Sequence, residues 1–268
     1  LVSFYNLEQE LSDGKVVLDL EGSVANALKI LDQPPLDITK DLGIDPQKTA
    51  GDVKGNLRLD FPIGDAFVSS DQLKIGATAV VTNGEFQNLV ADFGLQDVAL
   101  SLDVEGPEVN IKGMGSFLFS PAEFALTKSF DTKKTDKTKI DFKTVLTDSA
   151  RKSFDFDTGF LVPPSLSGPV PVSLILTENQ NAETSVDISF NLDAAAINLS
   201  QAGWKKNAGE KGSAKLKLSL KNNELTEIPF FDLHDASGNS AEGNIKFDKG
   251  TSLKEIRLTS LKTGRTNA

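Results

Sequence analysis

The chain has 268 residues, and 28 Lys and Arg stand against 38 Asp and Glu, for a net charge of −10. That balance argues against nucleic acid, whose phosphates demand clustered Lys and Arg, and the absence of Cys excludes disulfides, thiolate metal sites and cysteine nucleophiles. The length suffices for one large β domain or two smaller ones, no apolar run nears the ~18 residues of a membrane helix, and the start at Leu1 without a signal peptide reads as a piece of a longer protein whose membrane anchor would lie elsewhere.

Helix is scarce. Ser23 is placed to cap a helix over Val24 to Leu31, where Val24, Ala27, Leu28 and Leu31 make one apolar stripe, and Pro34-Pro35 would end it. Further helical turns are expected near Ile38 to Leu42 and Ser149 to Phe154. Almost everything else alternates apolar and polar residues, the period of a strand with one wet and one dry face. The alternation runs through Val53 to Phe61, Val98 to Glu105, Pro107 to Phe119 and Lys139 to Phe142. It returns in Val170 to Thr177, Ser185 to Leu192, Ala214 to Lys221 and Asn244 to Phe247. Asn83-Gly84, Gly106-Pro107, Asn222-Asn223 and Ser237-Gly238-Asn239 read as the turns between strands.

A faint repeat organises these strands. Asp37 to Asp45 with Gly51-Asp52-Val53 is echoed by Asp148 to Asp157 with Gly168-Pro169-Val170, after a short insertion that holds Pro163-Pro164. The echo suggests two tandem units, 1–146 and 147–268, within one elongated section, and arrays of that kind grow in one direction.

Reactive groups are few. The single His, His234, stands beside Asp235 in a turn-like stretch, and as a general base it would need a nucleophile and an oxyanion hole that no Gly-x-Ser-x-Gly elbow supplies. A surface His is the expectation. Asp155-Phe156-Asp157-Thr158-Gly159 imitates the start of a calcium loop without its later carboxylate. Lys128, Lys133, Lys134, Lys137 and Lys139 suit either a solvated hairpin or contact with anionic headgroups. Asn198-Leu199-Ser200 fits a glycosylation sequon, a match common by chance. Paired carboxylates of a glycosidase cannot be read from spacing, but most acids fall in the polar phase of strands. No catalytic group, metal or cofactor is expected.

Several stretches resemble the AsmA-like proteins of the YhdP type found in Gram-negative bacteria. They are Leu31-Asp32-Gln33-Pro34-Pro35-Leu36, Leu42 to Pro46, Gly51 to Gly55 and Leu59-Asp60-Phe61-Pro62, with Gly203 to Gly212, Gly243 to Phe247 and Gly264-Arg265-Thr266 in the second half. The resemblance implies a fold that is all-β: a long, strongly twisted antiparallel sheet curled into an open, taco-like groove, with two or three short helices. It further implies a periplasmic section of an inner-membrane-anchored protein that moves phospholipid toward the outer membrane. About fourteen strands spaced ~4.8 Å apart would extend roughly 65 Å. The partners would be phospholipid acyl chains, other sections of the same longer chain and membrane proteins at either end. The groove would be lined by Leu57, Leu59, Phe61, Ile75, Leu100, Leu102, Ile111 and Phe117 in the first half. Phe142, Leu174, Leu176, Ile188, Phe190, Leu216, Leu218 and Phe247 would follow in the second. The rival expectation is a structural scaffold for outer-membrane assembly in which the apolar stripe is a closed core between two facing sheets.

Overall fold

The computed structural model describes residues 2–5, 12–31, 44–63, 74–90, 93–131, 133–154, 161–200, 203–247, 253–263 and 266–267. The protein is all-β, its strands pair antiparallel, and it divides into two compact units. The first comprises residues 1–118 and 125–131, the second 119–124 and 132–268.

In the first unit β1 (Val2–Tyr5), β2 (Ser12–Ser23), β3 (Thr49–Ile63), β4 (Lys74–Val90), β5 (Phe93–Glu105) and β6 (Glu108–Phe117) lie side by side in chain order. Helix α1 (Val24–Leu31) follows β2 and packs on β2 and β3, and the Ser23 hydroxyl accepts from Asn26 N at 3.3 Å, the capping bond its sequence announces. The helical turn expected near Ile38 to Leu42 lies outside the described residues. A 3₁₀ turn, Pro46–Lys48, stands just after it, opened by the Asp45 carboxylate accepting from Gln47 N at 2.9 Å.

Asn83-Gly84 does not separate two strands, as its turn chemistry suggested. β4 runs through it with a register shift, because Asn83 at φ 52° supplies the left-handed residue that a bulge needs. The facing Gly51, at φ 115°, leaves room for it: a Cβ there would stand 2.8 Å from Asn83 O. Gly106-Pro107 and Asn222-Asn223 do form turns. The alternating run that reached Phe119 ends as strand at Phe117, and Leu118-Phe119 form the turn into β7 (Ser120–Ser129), a strand whose residues divide between the two units.

The second unit continues with β8 (Asp136–Leu146), α2 (Asp148–Ser153), β9 (Leu166–Ser167), β10 (Val170–Asn179), β11 (Glu183–Asn191) and β12 (Ala196–Leu199). After these come β13 (Trp204–Lys206), β14 (Gly212–Lys221), β15 (Glu224–Asp235), β16 (Ser240–Phe247), β17 (Leu253–Thr263) and β18 (Thr266–Asn267). The strand β8, assigned to the first tandem unit by the repeat, belongs by its contacts to this one. The main sheet runs β8-β10-β11-β14-β15-β16-β17-β18, and a small sheet runs β13-β12-β9. The helix α2 falls where Ser149 to Phe154 foretold it, capped by Thr147, whose hydroxyl accepts from Ala150 N at 3.2 Å.

Arg151 of α2 is 4% exposed and ties the connector to the sheet. Its guanidinium donates to Leu161 O and Leu146 O at 2.8 Å, to Gly168 O at 2.9 Å, and to the Asp148 carboxylate. Burial pulls its pKa below the ordinary value, and Asp148 opposes that shift.

Candidate functional site

Directly paired residues of an antiparallel ladder point to one face, so the registers decide which side chains meet. In the first unit Leu18, Leu57, Ala77, Val104 and Val109 form one cross-strand row from β2 to β6. Beside it lie the rows Leu20-Gly55-Ala79-Leu102-Ile111 and Gly22-Val53-Val81-Leu100-Gly113. Toward the other end come Val16-Leu59-Ile75 and Gly14-Phe61, where a Cβ on Gly14 would fall 2.7 Å from the Phe61 ring. Every member is apolar or Gly. The registers thus gather Leu57, Leu59, Phe61, Ile75, Leu100, Leu102 and Ile111 on one face, and Phe117 shares the phase of Ile111 on β6. Val53, Leu57, Val81, Val109, Ile111 and Phe117 are buried, whereas Leu59, Phe61, Ile75, Leu100 and Leu102 are half-buried and Leu18 is exposed. The Phe117 ring meets Phe93 edge-on with centroids 6.1 Å apart.

The second unit repeats the arrangement. Phe142, Leu174, Ile188, Leu216, Phe231 and Gly243 make one row across β8, β10, β11, β14, β15 and β16, and Ile140-Leu176-Val186-Leu218 make the next. Phe247 follows Gly243 and Ile245 in the same phase of β16. Phe142, Leu174, Leu176, Ile188, Leu216, Leu218 and Phe247 are half-buried. This face is not apolar throughout: the end row Thr138-Glu178-Thr184 is polar, with Thr138 donating to Glu178 Oε2 at 3.1 Å.

At the opposite end the face is covered by the protein itself. Val170, Leu192, Ala195, Ile197 and Trp204 form a buried cluster, against which Val172, Phe190, Ala214, Leu233 and Ala241 of the main sheet pack. Phe190, read from the sequence as a groove residue, therefore rests on the chain's own small sheet. The single Trp, 3% exposed, donates its indole N–H to Asp235 Oδ2 at 2.8 Å, and Asp235 also accepts from Asn239 Nδ2 at 2.8 Å and Ser237 N at 2.8 Å. Lys206 is 1% exposed, its Nζ donating to Leu192 O at 2.7 Å, Ala195 O at 2.8 Å and Asn207 O at 3.1 Å. In the adjoining turn Glu210 accepts from Asn207 N at 2.8 Å and Asn207 Nδ2 at 3.0 Å; the backbone bond foremost holds its carboxyl below the usual range.

The opposite faces carry the charges. Lys54 meets Glu21 at 2.7 Å, Lys217 meets Asp187 at 3.7 Å and Lys221 meets Glu183 at 3.8 Å, each pair directly opposed across two strands. Such exposed pairs add little stability but disfavour the wrong register. The hydrogen bond to Glu21 raises the Lys54 pKa. In the first unit this charged face is concave, a hollow of about 640 Å³ bordered by Asp19, Lys54, Asn56, Thr78, Ser101, Asp103, Asn110 and Lys112 and also by Gly55, Ala79, Leu102 and the exposed Val80.

His234 is exposed, as expected, but it has partners that its sequence neighbourhood does not show. Its Nε2 lies 3.0 Å from Ser213 Oγ, and its Nδ1 lies 3.3 Å from Asp232 Oδ2. Asn198 of the sequon is an exposed strand residue. The calcium-like stretch from Asp155 to Gly159 lies outside the described residues, as does most of the first copy of the repeat. Among the described residues no cluster of His, Asp and Glu has metal-binding geometry, and no helix is long and apolar enough to cross a membrane. Compared with protein-family models, with curated proteins and with solved structures, the chain matches none.

Proposed function

We propose that this chain is a section of a longer, inner-membrane-anchored periplasmic protein that conducts phospholipid between the inner and outer membranes, its apolar sheet faces sheltering the acyl chains. The observation that carries this reading is the uninterrupted apolar character of the first unit's rows, with Leu59, Phe61, Ile75, Leu100 and Leu102 left only half-buried. Each methylene moved out of water onto such a surface contributes about 0.8 kcal/mol, and a face uniform along its rows offers a tail no large step in free energy. Headgroups stay in water, so passage needs no catalytic group or cofactor. The location and the two membranes rest on the resemblance to AsmA-like proteins of the YhdP type, which also supplies the partners: other sections of the same chain and membrane proteins at its ends.

A second reading, a non-catalytic scaffold for outer-membrane assembly with a closed β core, is favoured by one observation. The small sheet fills one end of the second unit's apolar face, as a sandwich core would. A photoreactive residue placed at Leu59 or Arg58, and at Leu218 or Lys217, separates the two readings. Conduction requires phospholipid adducts at Leu59 and Leu218 at least fivefold above those at Arg58 and Lys217, with phospholipid co-purifying. Equal labelling on both phases of the folded protein, together with background lipid only, leaves the scaffold.

A further inference from the structure

We infer that Ser213, His234 and Asp232 form a hydrolytic site for small, water-soluble carboxylic esters on the wet face of the second unit. The site is independent of the apolar face, because Ser213 alternates on β14 with Gly212, Ala214 and Leu216 and so faces the other way.

The sequence offers His234 as a base without a nucleophile; the register supplies the nucleophile. Ser213 lies directly opposite His234 across β14 and β15, and its Oγ stands 3.0 Å from Nε2. Asp232, two residues before His234 on the same face, has a carboxylate oxygen 3.3 Å from Nδ1 and a side chain only 20% exposed. With Nδ1–H directed at the carboxylate, Nε2 is left as the acceptor of the Ser213 hydroxyl proton, which is the tautomer a general base requires. On the other flank of Ser213, directly opposite on β11, stands Asn191. Its amide oxygen accepts from Asp193 N at 2.8 Å, which anchors the group and leaves Nδ2 as its donor. Paired residues of this kind stand about 5 Å apart at Cβ, close enough for Nδ2 to reach an oxyanion formed on a carbonyl attacked by Ser213.

Ser213 and Asn191 border a hollow of about 430 Å³ that Ser173, Ser189, Lys143 and Asp193 also line, while His234 and Asp232 flank Ser213 and are not part of the hollow's wall. Its size and its rim of Ser, Asn, Lys and Asp side chains suit a short acyl ester. The Ser213 oxygen bonds to the ester carbonyl carbon while its proton moves to His234 Nε2. The bond to the leaving oxygen then breaks and that oxygen takes the proton, releasing the alcohol and leaving an acyl group on Ser213. Water attacks the acyl carbon, its proton passes through the same Nε2 back to Ser213, and the carboxylic acid departs.

The test uses the full chain with an alkyl fluorophosphonate, which bonds through phosphorus to an activated Ser oxygen with loss of fluoride, and with 4-nitrophenyl acetate as substrate. One adduct per chain is expected, mapped by peptide sequencing to Ser213 with Ser173 and Ser189 unlabelled, and absent in Ser213→Ala. The labelling rate should fall about 100-fold in His234→Gln. Ester turnover should likewise exceed that of Ser213→Ala. An unlabelled Ser213, or a rate unchanged in His234→Gln, overturns the site. An unchanged rate in Asp232→Asn overturns the role of Asp232, and labelling without turnover overturns ester cleavage. Both measurements leave lipid crosslinking at Leu59 untouched, so either reading can fail without the other.

Discussion

Lys206 shows how a residue of the most soluble type becomes a structural centre. It occurs in a run of polar residues, Lys205-Lys206-Asn207, yet its side chain is buried while that of Lys205 is exposed, because they take opposite phases of β13. Its amine donates to three carbonyls of the bend between β11 and β12 and of β13's own end, groups that have left the ladder; Leu192 O and Asn207 O also accept from Ala195 N and Glu210 N, and Lys206 adds Ala195 O to the set. Lys206→Met keeps the length of the side chain and removes the donors. The expected cost is about 3 kcal/mol of unfolding free energy, read by urea denaturation, whereas Lys205→Met should change it by under ~0.5 kcal/mol. Equal effects at the two positions would deny the carbonyl cage its role. Nothing in the sequence separates these two lysines except phase in a three-residue strand, too short to display a period. Ser213 was hidden for the same kind of reason: its partnership with His234 spans the length of a hairpin and is made by register.

At the scale of elements, two hairpin turns of the same geometry carry opposite chemistry. Asn222-Asn223 join β14 to β15 with φ of 52° and 65°, and Asn tolerates that left-handed region. Leu118-Phe119 join β6 to β7 with φ of 50° and 64°, where β-carbons meet the following carbonyl, and Phe119 is 91% exposed. The first was legible as a turn; the second reads as strand because two apolar residues extend the alternation. Replacing Leu118-Phe119 with Asn-Gly should stabilise the chain by about 1–2 kcal/mol and raise its melting temperature by a few degrees. A loss of stability instead would show that the half-buried Leu118 side chain contributes more through packing than its backbone costs.

At the scale of the molecule, the decisive feature is where each unit's apolar face is left bare and where the chain covers it. In the second unit the cover is the sheet of β9, β12 and β13, and the only Trp, Trp204, sits in that seam. Its fluorescence should therefore be blue-shifted and resistant to iodide quenching in the folded protein, shifting red on unfolding. Emission typical of a wet indole before denaturation would mean that the small sheet does not cover the face. The sequence by itself determined that the protein is β-rich, where α1 begins and roughly where α2 lies, and which phase is apolar in the alternating segments of β3, β5, β6, β8, β10, β11, β14 and β16. These are local properties, set by side-chain alternation and by capping groups within a few residues. Only the tertiary structure decided that Leu57, Leu102 and Ile111 share a face, that Phe190 is covered while Leu59 is half-open, and that Ser213 meets His234. Those outcomes depend on register and on which sheet packs on which, relations among residues far apart in the chain that no period within a single strand encodes.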